Sequence, residues 1–182
     1  MKITTLAPAL AALTMLAACG GPEGDFEEAI NTQLANNPEC WGISSSREVS
    51  FPLRVQAGIF NDGPGPILTG LKDAGLIDLD IRGDKWKTTY HIDLTEKGKK
   101  ADLWTQGEGF CVGTPRVEEI VRYTYADQGA NENAASVEYT WRLHDLPDWV
   151  DRNQFSGVEG MVKPETGSRN VQKSSDGWHA GW

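Results

Sequence analysis

Histidine is scarce in this chain, at positions 91, 144 and 179 only, and the short motifs that concentrate chemistry are missing. Without HExxH or CxxC, neither a zinc-hydrolase helix nor a dithiol redox site is indicated. Without a GxSxG elbow or a glycine-rich phosphate loop, a serine-hydrolase turn and a nucleotide cradle are not indicated either. Positive charge is also short. Seventeen Lys and Arg face 26 Asp and Glu, for a net charge of −9. Such a surface repels nucleic acid and anionic lipid heads, and favours solubility or a basic partner. No apolar run reaches the ~20 residues of a membrane-spanning helix. No internal repeat or low-complexity run is present. The sequence therefore offers no cofactor and no catalytic or metal-binding set of residues.

What is present begins at the N-terminus. Lys2 precedes an apolar stretch from Ile3 to Ala18, and the first acid is Glu23. A positive start, an apolar centre and small residues before a break form a secretory signal pattern. The stretch Leu16-Ala17-Ala18-Cys19 resembles the bacterial lipobox. That resemblance implies cleavage before Cys19, a diacylglycerol on its sulfur and, in many species, acylation of the new N-terminus. Gly20 stands where the family's inner-membrane retention signal has aspartate. The resemblance thus implies a lipid-anchored protein of the bacterial cell envelope, at the outer membrane facing the periplasm. Several acyl chains give stable anchoring where one is marginal. An ordinary signal peptide cut elsewhere is the other reading. The expected organisation is a signal peptide over 1–18, a lipidated tether over 19–24 and one globular domain over 25–182. Its halves are about 25–105 and 106–182. Removing the signal removes Lys2, so the charge becomes 16 − 26 = −10.

Lipidation of Cys19 leaves Cys40 and Cys111. In an oxidising periplasm they can pair, closing a loop of 111 − 40 = 71 positions; loop-closure entropy makes that worth roughly 4 kcal/mol. Two separate buried thiols are the alternative.

Periodicity gives the coarse architecture. Asp25 is a candidate cap for a helix over 26–36, with Phe26, Ile30 and Leu34 on one face and Asn36-Asn37-Pro38 as its stop. Alternation over 49–55 predicts a strand, which Pro52 places at a sheet edge. After a loop over 61–66, Ile67, Leu68 and Leu71 form the inner face of a short helix that Gly75 stops. Ile77, Leu79 and Ile81 alternate, as do Trp86, Thr88, Tyr90, Ile92 and Leu94, which predicts a hairpin turning at Gly83-Asp84. Thr95 begins a further helix, which Trp104 would close. Residues 117–126 read as a strand or as a helix running into a strand, and 137–143 as a strand. Two more, near 157–163 and 169–182, would complete an antiparallel meander whose last turn is 175–177. The fold class is α+β: an N-terminal helix plus β-hairpin half and a C-terminal antiparallel β-meander. The second half is similar, at fold level only, to cystatin-like and nuclear-transport-factor-like curved sheets.

Leu71, Gly75, Leu76, Ile77, Tyr90, Leu94, Thr95 and Gly98 resemble the winged-helix pattern of small bacterial regulators, over 64–104. The recognition-helix position offers only Lys72 as a base, and residues 44–62 read as extended where that family has a helix. With the acidic balance and the export signal, the expectation is a scaffold without nucleic-acid binding. Asp78, Asp80, Gly83 and Asp84 imitate the start of a calcium loop, but Arg82 occupies a ligand position and Thr89 stands where a bidentate Glu is needed. Arg82-Gly83-Asp84 spells an adhesion tripeptide, and Gly-Asp is also what a tight turn requires. His91 and His144 fall on polar strand faces. Among seven tryptophans, Trp149, Trp178 and Trp182 lie at strand ends or the terminus. They are the candidates for stacking on sugars or anchoring a protein partner, with core or sheet-edge packing as the other reading of each. The functional expectation is a membrane-anchored, non-catalytic binding or assembly module for an envelope protein or cell-wall glycan. The alternative is an envelope hydrolase with a carboxylate-based site.

Overall fold

In a computed structural model, residues 21–42, 49–57, 63–83, 88–126 and 132–181 are described. Cys19, Trp86 and Trp182 lie outside them. The described residues form an α+β fold with two antiparallel sheets.

Helix α1 spans Glu23–Leu34, and its Phe26, Ile30 and Leu34 are 0%, 0% and 8% exposed. The i, i+4, i+8 spacing puts them on one face. The expected Asp25 cap is corrected. The helix starts earlier, Pro22 occupies the cap position with φ −71°, and no side chain caps it. Asp25 lies instead in the first turn, where its charge complements the exposed N–H groups. At the other end the Asn36 and Asn37 amides donate to the carbonyls of Thr32 and Gln33 at 2.9 and 3.0 Å. Those bonds satisfy acceptors that the helix leaves open.

The strand β1 (Glu39–Trp41) is followed by β2 (Leu53–Gln56). Helix α2 (Gly65–Asp73) buries Ile67, Leu68 and Leu71, and Gly75 ends it at φ +66°. The left-handed conformation favours glycine at this exit. A hairpin of β3 (Ile77–Arg82) and β4 (Thr89–Leu94) follows, in register from Ile77↔Leu94 to Arg82↔Thr89. Its connection is therefore longer than a Gly-Asp turn. Ile81 is not inward, as alternation predicted, but 48% exposed. Burial falls along β3 because this edge strand leaves the packed cluster as it runs towards the tip. With β2 added, the small sheet has the order β2-β4-β3, so β2 is an edge as Pro52 indicated.

Thr95 caps the short helix α3 (Glu96–Lys100): its hydroxyl accepts from Gly98 N at 3.0 Å. Trp104 does not close that helix. It begins strand β5 (Trp104–Thr105) beside Phe110, its ring 5.0 Å from that ring.

The meander comprises β6 (Gly109–Tyr125), β7 (Ala134–His144), β8 (Glu165–Ser174) and β9 (Gly177–Ala180). Its sheet runs β1-β6-β7-β8-β9, with β5 also on β6. The expected strand over 157–163 is corrected. Phe155, Val158 and Met161 are buried three residues apart on consecutive turns, through Val158 N→Phe155 O and Met161 N→Val158 O. A spacing of three cannot present one face of a strand, whose period is two.

Two hydrophobic clusters result. One sets α2 and the small sheet against Leu103, Phe110, Val112, Leu143, Phe155, Val158 and Met161. The other sets α1 on the inner face of the meander, against Val117, Val137, Tyr139 and Val171. Helix α1 thus packs on the C-terminal sheet and not on the hairpin, so the clusters do not divide near residue 105. The β6 bulge between Val117 and Glu119 frees the Val117 N–H, which donates to Asn31 Oδ1 at 2.9 Å. Cys40 and Cys111 are opposite in register on β1 and β6 and joined by a disulfide with S–S 2.09 Å.

Candidate functional site: a groove between α1 and β9

A groove of about 540 Å³ runs along α1 beside the end of the meander. The helix contributes Asp25, Glu28, Thr32 and Asn36, a stripe three or four residues apart next to the apolar stripe. The other wall is Lys173 and the segment from Asp176 to Ala180. Packing of Phe26, Ile30 and Leu34 on the sheet forces that polar stripe to the rim. The arrangement follows from the helix period. Two polar links tie α1 to this end of the sheet. Arg169 Nε donates to Gln33 Oε1 at 3.2 Å, and Gln33 Nε2 donates to Gly181 O at 3.4 Å.

Trp178 lies in the groove, half-buried. Phe26 packs on it at a centroid distance of 4.8 Å and an interplanar angle of 87°, and Lys173 Nζ sits 5.8 Å over its ring. The turn below holds Ser174, Asp176 and His179. The Ser174 hydroxyl donates to Asp176 Oδ1 at 2.5 Å, and His179 Nε2 lies 3.1 Å from the same oxygen. These are the residue types of a hydrolytic triad in the wrong order. The carboxylate lies between hydroxyl and imidazole, so the imidazole has no serine proton to take. The cluster clamps the β8–β9 turn instead. The Ser174 hydroxyl and then His179 hold the Asp176 carboxyl below its ordinary range.

The three tryptophan candidates are not one site. Trp149 is half-buried in the cluster around α2, its ring 5.7 Å from Phe155. Trp178 belongs to the α1 cluster and its groove. Trp182 and the lipidation candidate Cys19 lie outside the described residues.

Two other constellations bear on catalysis. Burial, and then the Glu159 carboxylate, push Glu39 above the usual carboxylate range. On the outer face of the meander, Glu118 Oε1 stands 3.8 Å from Arg142 and 3.9 Å from His144. All three are about a third exposed or more. Neither group lines the α1–β9 groove. A second depression of about 530 Å³ on the small sheet is lined by Asp78, Asp80, His91 and Asp93. There Arg82 already occupies Asp80, at 2.7 Å. Among the described residues, one group of three possible metal donors lies within 4.8 Å: Cys40, Glu108 and Cys111. Its two sulfurs are bonded to each other and offer no thiolate.

The α1 wall of the groove was missed by reasoning that sought aromatics at strand ends. The polar stripe at 25, 28, 32 and 36 was the available signal. No protein-family model, no curated protein and no solved structure matches the chain.

Proposed function

We propose that the protein is a membrane-anchored, non-catalytic binding or assembly module of the bacterial envelope, held at the periplasmic face of the outer membrane through Cys19. Its partner is an envelope protein or a cell-wall glycan. The observation that carries the binding part is the groove between α1 and β9, with Trp178 inside it and its Ser, Asp and His in a non-catalytic order. The anchoring part is supported by the lipobox-like Leu16-Ala17-Ala18-Cys19 and the Gly-rich tether after it.

The winged-helix resemblance enters as scaffold only. In its favour are the order α2, β3, β4 and the pairing of β2 with β4. The exposed residues of α2 are Gly65, Pro66, Thr69, Lys72 and Asp73. One lysine beside one aspartate neutralises no phosphate backbone, which is the main source of duplex affinity. The alternative function, a carboxylate-based envelope hydrolase, draws its support from the Glu39–Glu159 pair.

The test combines two measurements on the protein in its own envelope. Labelled palmitate should enter the wild-type chain and not the Cys19→Ala variant, which should leave the membrane fraction. A photo-crosslinking residue at Thr32 should give discrete adducts that Trp178→Ala removes. No label and no adduct would end the proposal. Release of soluble cell-wall fragments by the wild-type chain and not by Glu39→Gln would favour the hydrolase.

A further inference from the structure

Among the described residues, strand β9 is the last of its sheet and pairs on one side only, with β8. Its register is Val171↔Ala180, Gln172↔His179, Lys173↔Trp178 and Ser174↔Gly177. Gly181 N donates to Asn170 O at 2.8 Å, which marks that pair as hydrogen-bonded. In an antiparallel ladder bonded and non-bonded pairs alternate. His179 and Gly177 therefore bond to β8, while Trp178 and Ala180 turn their N–H and C=O groups to the open edge. That edge is one wall of the groove beside α1. Unpaired strand edges are templates for another strand, and natural proteins usually blunt them with charge, proline or cover. Here the edge is short, but it opens into a cleft whose length fits it. From Asp25 to Asn36 the helix rises roughly 16 Å, and four residues of strand rise about 13 Å.

We propose that this edge takes an extended segment of a basic protein as an added strand, its lysines or arginines facing α1. The proposal rests on the reading of the protein as a binding module and names the partner for its groove. Charge selects the occupant. Asp25 and Glu28 lie on the helix wall and form no ion pair among the described residues. Of the basic residue types lining the groove, His179 lies 3.1 Å from Asp176, and Lys173 lies over Trp178. In the lining Lys173 faces Asp25, Glu28 and Asp176, so Lys and Arg less Asp and Glu come to 1 − 3 = −2, the same sign as the −9 of the whole chain. Alternate side chains of a strand are roughly 6.7 Å apart along one face, close to the ~5–6 Å between helix neighbours three apart such as Asp25 and Glu28. Two basic residues at i and i+2 would meet the two acids. A glycan is the less suited occupant. Sugars stack on open aromatic faces, and Lys173 already covers a face of Trp178, against which Phe26 also packs.

The test uses the processed, lipidated chain in non-ionic detergent, with isothermal titration against empty micelles as blank. The probe is an end-capped octapeptide of alternating lysine and valine. Controls are the same peptide with glutamate for lysine, the same peptide N-methylated at every residue, and a tetrasaccharide of N-acetylglucosamine. Binding of the lysine peptide is expected, weakening as salt rises. The Asp25→Lys, Glu28→Lys double variant should weaken it by about tenfold or more while keeping the far-UV spectrum of the parent. The N-methylated peptide needs no change to the protein. It should fail to bind because it cannot donate to the edge. No heat from the lysine peptide, equal binding of the glutamate or N-methylated peptide, or binding of the tetrasaccharide in its place would overturn the proposal. If Thr32 still gives envelope adducts while the lysine peptide fails, the added strand is wrong and the binding module stands. If both fail, both readings fall.

Discussion

Around α1, the buried residues come from α1, β6, β7 and β8, four long and regular elements. Around α2, they come from one helix, three strands of the small sheet, the turns at 155–161 and the opposite ends of β6 and β7. Strands β6 and β7 run through both. Phe110 and Val112 serve the α2 cluster and Val117 the α1 cluster; Leu143 serves the first, and Val137 and Tyr139 the second. Trp141 touches both. A helix on a meander holds itself together by periodicity. A cluster of short pieces needs help, and here it has a cross-strand disulfide and close backbone approaches. The candidate groove sits at the rim of the first kind of core, where, among the described residues, regular elements leave one strand edge and one helix stripe beside each other.

The comparison can be broken most severely at Phe26, which is fully buried and makes ring contacts with Tyr123, Tyr125 and Trp178. Phe26→Ala should cost about 3–5 kcal/mol in urea unfolding. If the shared strands make the two cores one cooperative unit, hydrogen exchange in β2–β4 should quicken as much as in the meander. Unchanged protection there would show two separate units.

Next in size is the disulfide. Replacing Cys40 and Cys111 by serine removes a link across 71 residues and should cost roughly 4 kcal/mol. Amides of β1 and β5 should lose protection before those of β8. Equal loss everywhere would contradict the idea that the α2 cluster depends on the link.

Two glycines sharpen the contrast. A Cβ at Gly70 in α2 would lie 2.6 Å from Phe155 Cδ1, so Gly70→Val should destabilise by about 1–3 kcal/mol. A Cβ at Gly24 in α1 would meet nothing within 4 Å, so Gly24→Ala should stabilise by about 0.4–1 kcal/mol. Thermal melts of the two variants should move in opposite directions.

The smallest effect is at Glu39. Its folded state resists ionisation, through burial and then Glu159, so its pKa lies above the ordinary 4.5. Below that value both folded and unfolded chains hold the proton and the group has no effect. As pH rises from about 4.5 through the raised folded value, the unfolded chain loses its proton first and stability falls. Glu39→Gln should therefore be more stable than the parent at neutral pH and equal to it in acid. A difference that persists unchanged below pH 4 would refute this origin.

Much of this was legible in sequence. The apolar face of α1, the inward residues of α2, the Thr95 cap, the alternation through β7 and the Cys40–Cys111 pairing all appear as expected, because each is a local pattern or follows from few candidates. Ile81 was not legible: alternation marks a face, but whether that face is covered depends on distant chain. The segment near 157–163 is not the expected strand, because its buried Phe155, Val158 and Met161 recur every three residues where a strand face needs two. Trp149 reads as an aromatic at a strand end, for packing or for binding, and only the arrival of Phe155 decides for packing.

Sequence by itself determined the elements with strong periods and the α+β class, since hydrophobic repeats of 3.6 and 2 demand a helix or strand with one buried face. It also determined the acidic charge and the lack of any motif for metal or nucleophile. Tertiary structure alone decided that α1 crosses to the C-terminal sheet, that β6 and β7 are shared by both cores, and that Trp149 and Trp178 are separated. It alone set β9, the terminal strand among the described residues, beside Asp25 and Glu28. The physical reason is that long-range packing is chosen by which buried faces fit together across the whole chain, and no window of neighbouring residues contains that information.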